Sequence, residues 1–298
     1  MVILKASGVT DDRYLHYMKL YRTAKAVILH HPDGYCMLNE PWDELINRDN
    51  LHDHLSGMIS ASRNLNEREA ALFLGMLLPP AGRQEVWAAG VTYMRSRDAR
   101  MEESKGSGGA SLYDRVYEAE RPELFFKANA GRVAAHGQQV NIRRDSDWNV
   151  PEPELTLFLN SNGSVQGYTI GNDMSSRSIE GENALYLPQA KVYERSAALG
   201  PCLYVPREPI EHSTVIRMII RRDDKVMYDD SVAISKIKRT FEELSEYLFR
   251  ECNFDDGVFL MTGTCLVPPD GFTLQEGDVV EISIGPIGVL SNFVGYKK

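Results

Sequence analysis

Cysteine is scarce in this chain: 298 residues hold four, Cys36, Cys202, Cys252 and Cys265, far apart and with no CxxC pair. That spacing argues against a zinc knuckle or a disulfide frame and points to reduced thiols packed as small apolar groups in a cytoplasmic setting. Basic residues are in deficit too, with 33 Lys and Arg against 42 Asp and Glu and a net charge of -9 at pH 7. A surface of that sign repels phosphate backbones and anionic lipid, so neither nucleic acid nor membrane is an expected partner. No apolar run reaches the length of about 20 residues that spans a bilayer, and the opening Met1-Val2-Ile3-Leu4-Lys5 meets charge too early for a secretory signal. No fixed-period repeat is visible, which excludes solenoids and propellers.

What the chain does have is an ordinary globular balance, 43% hydrophobic and 25% charged, enough for one large core or two unequal domains. The break Pro79-Pro80-Ala81-Gly82 divides a small N-terminal α/β domain, 1–78, from a β-rich domain, 81–298, and the fold class is α+β. A strand is expected at Ala26–Leu29 and another around Val86 to Val91. The charged segment Arg95–Glu120, with Gly106-Ser107-Gly108-Gly109, reads either as a mobile lid or as a solvated surface excursion. Leu155–Leu159 and Val165–Ile170, joined through Asn160-Ser161-Asn162-Gly163, form a hairpin, and Val215–Ile220 with Val226–Tyr228 across Asp223-Asp224 forms a second. Ile237, Phe241, Leu244 and Leu248 line one face of an amphipathic helix, and Asp278–Ile284 gives a late strand.

The chemistry begins at Glu152 and Glu154, two residues apart at the start of the first hairpin, where alternate side chains of a strand share a face. Carboxylates held side by side repel, so one takes up a proton unless a cation lies between them. Oxygen donors of this kind suit Mg, Mn or Ca. Alone, the pair is better read as two solvated edge carboxylates. Asp173 follows the second strand of the same hairpin and reaches the glutamates if the strands are unequal or the chain curls. Three acidic ligands leave about three positions of an octahedral ion open to water or substrate, as in a catalytic site.

Lys191 sits in the otherwise uncharged Leu187-Pro188-Gln189-Ala190-Lys191-Val192-Tyr193; held near a metal it can act as a general base, and elsewhere it is a surface lysine. Arg95, Arg97 and Arg100 can clamp a substrate carboxylate or form a solvated face. None of the seven histidines joins the acidic motif, though His136 can face a pocket.

The stretches PEPELTLFL, GYTIGNDMSSRSIEGEN, LPQAKVYERSAALGP, MTGT and LQEGDVVEISIGPIGVLSNFV, in this order, resemble the signature segments of the fumarylacetoacetate hydrolase superfamily from roughly Glu85 to Val294. The resemblance implies a mixed β-roll catalytic domain, a carboxylate-bound Mg, Mn or Ca ion, and a small 2-oxo acid substrate whose oxo group the metal chelates. By position it assigns Glu152, Glu154 and Asp173 as ligands, Lys191 beside them and Thr264 of the TGT segment to the site; Tyr93 and Arg95 are further substrate-binding candidates, and assembly as a homodimer or homotetramer is expected.

Within the superfamily, IEGENALYLPQAKVY and RPELFFKAN most resemble the 2-keto-3-deoxy-pentonate dehydratases, which makes Glu123 an active-site residue. Hydrolytic and decarboxylating members carry a lid histidine where this chain has Ser96. The expected reaction is therefore dehydration of a five-carbon 2-keto-3-deoxy sugar acid to 2,5-dioxopentanoate. Lys191 is the candidate base at carbon 3, and Glu123 protonates the departing hydroxyl, or the two exchange roles. The alternatives are an acylpyruvate-type C–C hydrolase or an oxaloacetate-type decarboxylase, and, from another class, a cation-binding module without turnover.

Overall fold

The computed structural model describes residues 17–94, 115–269 and 271–298. Strands dominate. The longest sheet runs in the order Arg63–Leu65, Gly34–Leu38, Val27–His31, Tyr17–Arg22, Ala197–Pro206, Val165–Asp173, Pro153–Leu159, Val258–Met261, Glu85–Gly90, Glu123–Asn129. The segment before Leu78 thus supplies one end of this sheet, joined where Tyr17–Arg22 pairs antiparallel with Ala197–Pro206. A second sheet has the order Lys225–Ala233, Val215–Arg222, Val279–Ile284, Gly288–Tyr296, Gln139–Ile142.

The two sheets close on one core. Leu155, Leu157 and Leu159 of the long sheet share a buried cluster with Ile216, Met218 and Ile220 of the shorter one, and with Leu244 and Leu248 of the helix Phe241–Phe249. On the other face of the long sheet, Leu45, Ile46, Leu51 and Leu55 of the helices Trp42–Ile46 and Leu51–Met58 pack against Phe158, Leu199 and Phe259. Burying each such side chain contributes about 1.5–3 kcal/mol. With apolar material on both faces, Pro153–Leu159 is buried at every position. The front of the metal-ligand hairpin is therefore a rigid, dry strand.

Turn chemistry fixes the two predicted hairpins. In the first, the Asn160 side chain accepts from the N–H groups of Asn162 and Ser164, and Gly163 takes φ 76. In the second, Asp223 and Asp224 have φ 48 and 61, the positive values that a two-residue hairpin of this twist needs at both positions. The helix starts at Thr240, whose hydroxyl accepts from the Glu243 N–H, so Ile237 lies ahead of it rather than on its face. Arg95, Ser96, Arg97, Arg100 and the Gly106–Gly109 run lie outside the described residues.

Candidate metal centre

The register of the first hairpin builds the site. Pro153 faces Asn172 and Glu154 faces Gly171, so the next pair outward is Glu152 with Asp173, whose N–H donates to the Glu152 carbonyl at 2.9 Å. Neither unequal strands nor a curl is needed, because the start of one antiparallel strand and the end of its partner meet by construction. Glu152, Glu154 and Asp173 are all buried, and each offers a carboxylate oxygen within 4.8 Å of the others.

Three cations converge on this group. Lys191 Nζ donates to Glu152 Oε2 at 2.6 Å, to Asp173 Oδ2 at 3.1 Å and to Ser175 Oγ at 2.6 Å. Arg177 Nη2 donates to Glu152 Oε1 at 2.8 Å, and its Nε lies 3.9 Å from Glu180. Lys127 Nζ sits 2.5 Å from Asp173 Oδ1 and donates to the carbonyls of Met174 and Lys191. Burial pushes the Lys127 ammonium below its usual range, against the pull of Asp173.

Glu154 is the exception. Among the described residues no Lys or Arg pairs with it; its Oε2 accepts one backbone N–H, from Gly263 at 2.6 Å. Burial, then Asp173 and Glu152, drive its carboxyl well above the ordinary carboxylate range. A buried acid with one oxygen on a single N–H and two like charges beside it is short of a cation. All-oxygen donors on three carboxylates fit a hard divalent ion. Four acids, Glu152, Glu154, Asp173 and Glu180, face three bases, Lys127, Lys191 and Arg177, an excess of negative charge that a divalent ion would offset.

Of the remaining predicted residues, Thr264, Tyr93 and Glu123 lie near this centre, and Arg95 is outside the described residues. Gly263 takes φ 92, and a side chain there would strike the Thr92 hydroxyl, which donates to the Thr262 carbonyl. Thr264 is buried just beyond, its hydroxyl accepting from the Leu266 N–H at 3.2 Å. Tyr93 is buried near Glu154, and its hydroxyl is held protonated by burial and by Cys265 and Glu154. Glu123 opens the strand Glu123–Asn129 directly across from Gly90, where a Cβ would meet Glu123 Oε2 at 2.0 Å. Gly90 is therefore the space that this carboxylate occupies. Two residues along, the Phe125 ring has Lys191 Nζ 5.7 Å from its centroid.

Lys127, Ser175, Arg177 and Glu180 are absent from the sequence expectations. The alternation Glu123, Phe125, Lys127 in PELFFKAN could have disclosed Lys127, since alternate strand residues share a face. His136, by contrast, is structural: its Nδ1 accepts the Ser291 N–H at 3.2 Å.

Residues 111–295 match the family described as Fumarylacetoacetate (FAA) hydrolase C-terminal. The chain is 49% identical over 216 residues, 72% of its length and 73% of the relative's, to the probable 2-keto-3-deoxyxylonate dehydratase of Haloferax volcanii. It is 42% identical over 213 residues, 71% of its length and 72% of the relative's, to the 2-dehydro-3-deoxy-D-arabinonate dehydratase of Saccharolobus solfataricus. A solved 2-keto-3-deoxy-D-arabinonate dehydratase complexed with magnesium and 2,5-dioxopentanoate superposes with a TM-score of 0.80 at 31% identity, covering 95% of this chain and 99% of that one. With a fold, an acidic triad and a sequence that all agree, the chain belongs to the fumarylacetoacetate hydrolase family.

Proposed function

We propose that this protein is a divalent-metal-dependent hydro-lyase that removes water from a five-carbon 2-keto-3-deoxy sugar acid to give 2,5-dioxopentanoate. The observation that carries this is the 49% identity to the Haloferax volcanii dehydratase across 72% of the chain. A similar enzyme, solved with magnesium and 2,5-dioxopentanoate, supports both the cofactor and the product.

Glu152, Glu154 and Asp173 hold the ion. When bound, it supplies Lewis-acid stabilisation of negative charge on the 2-oxo oxygen. Lys191 accepts a proton from carbon 3, and Glu123 gives one to the hydroxyl leaving carbon 4, so that one water departs. The 3-ene left behind becomes 2,5-dioxopentanoate by moving a hydrogen from carbon 5 to carbon 3, which gives an enol at carbons 4 and 5, and then the enol hydroxyl proton to carbon 4, with the carbon chain intact. Thr264, Tyr93 and Arg95 contact the substrate. Burial of the triad keeps bulk water from the reacting atoms.

A cytoplasmic role in pentose catabolism is consistent with the free thiols of Cys36, Cys202 and Cys265, all buried. Val289 and Phe293, exposed on one face of Gly288–Tyr296, support a homodimer or homotetramer. The described residues before the Pro79-Pro80 break form a small N-terminal unit that extends the long sheet of the catalytic part.

Incubation with Mg and a panel of 2-keto-3-deoxy aldonates and acylpyruvates, read by mass, tests the assignment. The expected product is one water lighter than a deoxy sugar acid; splitting of an acylpyruvate, with no action on any sugar acid, overturns it.

A further inference from the structure

Beside the segment that carries Lys191, at Val192, Tyr193 and Glu194, the surface opens into a pocket of about 470 Å³. Its lining includes Arg132, Arg143, Arg144, Lys297 and Lys298, against two acidic side chains, Asp145 and Glu194. Such an excess of cations runs against the chain's overall charge of -9.

The arginines are held rather than loose. Arg143 makes a two-pronged contact with Asp145 at 2.8 and 2.6 Å and donates to the Gln189 carbonyl at 3.0 Å. Arg144 lies over the Tyr296 ring, 4.4 Å from its centroid, which sets its guanidinium without a carboxylate. Arg132 stands 4.0 Å from Glu194, at the edge of ion-pair range. Among the described residues, Arg144, Lys297 and Lys298 have no acidic partner. Fixed guanidinium groups such as those of Arg143 and Arg144, with exposed lysine ammonium groups at the rim of the pocket, recognise a compact anion with several oxygens. An extended polyanion is disfavoured, because it would reach beyond the pocket on a chain whose net charge is -9.

We propose that this pocket is a second ligand site, separate from the metal centre, for a small multivalent oxyanion of the phosphate class, either free or as a monoester. The two sites share a wall. Tyr193 lines the pocket with Arg143 5.6 Å from its ring centroid, and Lys127 of the metal centre lies 5.7 Å from the same centroid.

The test is thermal unfolding of the full Mg-loaded protein titrated with sodium phosphate, with glycerol phosphate, and with sodium chloride at matched ionic strength. A saturable rise in Tm with phosphate or the ester, and none with chloride, is the expected result; the tighter of the two identifies the free or esterified form. The double variant Arg144→Ala, Lys297→Ala should weaken the response at least tenfold while turnover in phosphate-free buffer stays at the wild-type level. Lys297→Ala alone, at an exposed position, serves if the double variant does not fold. Glu152→Gln should keep the phosphate response. Equal shifts with chloride, no shift at all, a response that survives the pocket substitutions, or one lost in Glu152→Gln would each overturn the proposal, the last by placing the anion at the metal centre.

Discussion

Lys127 and Asp173 form an ion pair with both side chains buried, Nζ to Oδ1 at 2.5 Å and exposures of 0% and 1%. The lysine reaches in from Glu123–Asn129 and the aspartate from Val165–Asp173, strands that are not neighbours in the sheet. Its further contacts with the Met174 and Lys191 carbonyls tie the candidate metal ligand, the turn after it and the candidate base to one ammonium.

Breaking such a pair leaves a buried charge without its partner, which typically destabilises by about 3–5 kcal/mol. Lys127→Met is therefore expected to lower stability by that amount in urea unfolding with EDTA present. The loss should shrink when Mg is added, because the ion then compensates Asp173. Equal losses with and without Mg would remove Asp173 from the metal site.

Glu152→Gln and Glu154→Gln should weaken Mg binding by at least about 100-fold, given that even the partners of metal ligands are worth 10–100-fold. Turnover should be abolished with the fold retained. Isothermal titration decides it: wild-type affinity in both variants contradicts the ligand assignment.

The raised carboxyl of Glu154 makes the metal-free protein sensitive to pH. Its folded state keeps a proton that the unfolded state releases near the ordinary value of 4.5, so the folded form binds more protons above that value. The Glu154 contribution to stability is then greatest at low pH and falls as the pH rises toward neutrality. Comparing wild type with Glu154→Gln in EDTA between about pH 5 and 8 isolates that slope, which cannot exceed about 1.4 kcal/mol per pH unit. Adding Mg should flatten it; a difference that grows with pH in favour of wild type, still without metal, contradicts the shift.

Dehydration and hydrolysis differ in what happens at carbon 3. Substrate deuterated there should lose label, and Lys191→Met should suppress that loss by roughly 10²–10⁴-fold, the usual worth of a general base. Glu123→Gln should spare exchange and suppress water loss. Gly90→Ala, which intrudes on the Glu123 carboxylate, should resemble Glu123→Gln. Mass spectrometry and proton NMR follow both steps, and an unchanged exchange rate in Lys191→Met assigns the base elsewhere.

Local patterns carried much of this architecture. The hairpin Pro153–Leu159 with Val165–Asp173, the Asp223-Asp224 turn and the same-face pair Glu152 and Glu154 were legible, because alternation and turn chemistry act over a few residues, whereas Asp173 and Lys191 were assigned only through the family resemblance. Tyr17–Arg22 was not: its place in the long sheet depends on pairing with Ala197–Pro206, which no nearby residue encodes. Lys127 shares the face of Glu123 and Phe125 by alternation, but its ion pair was not legible for a related reason. A lysine within an apolar strand looks like a solvated edge until the distant Asp173 is seen against it. The supposed need for a curl at Asp173 came from treating the strands singly instead of as an antiparallel pair.

The way the ligands are distributed along the chain has a consequence for the order in which the centre assembles during folding. Glu152 and Lys191 are 39 residues apart, and everything else that touches the acidic oxygens from this segment lies between them, whereas the Gly263 amide that braces Glu154 is 109 residues away. Loop-closure entropy rises with the logarithm of loop length, which makes the long closure harder by about 1 kcal/mol. The hairpin and the Lys191 helix can thus bring the acids together before the Thr262–Thr264 bend arrives. A divalent ion present at that stage would meet a nascent chelate, so refolding should be faster with Mg than without it.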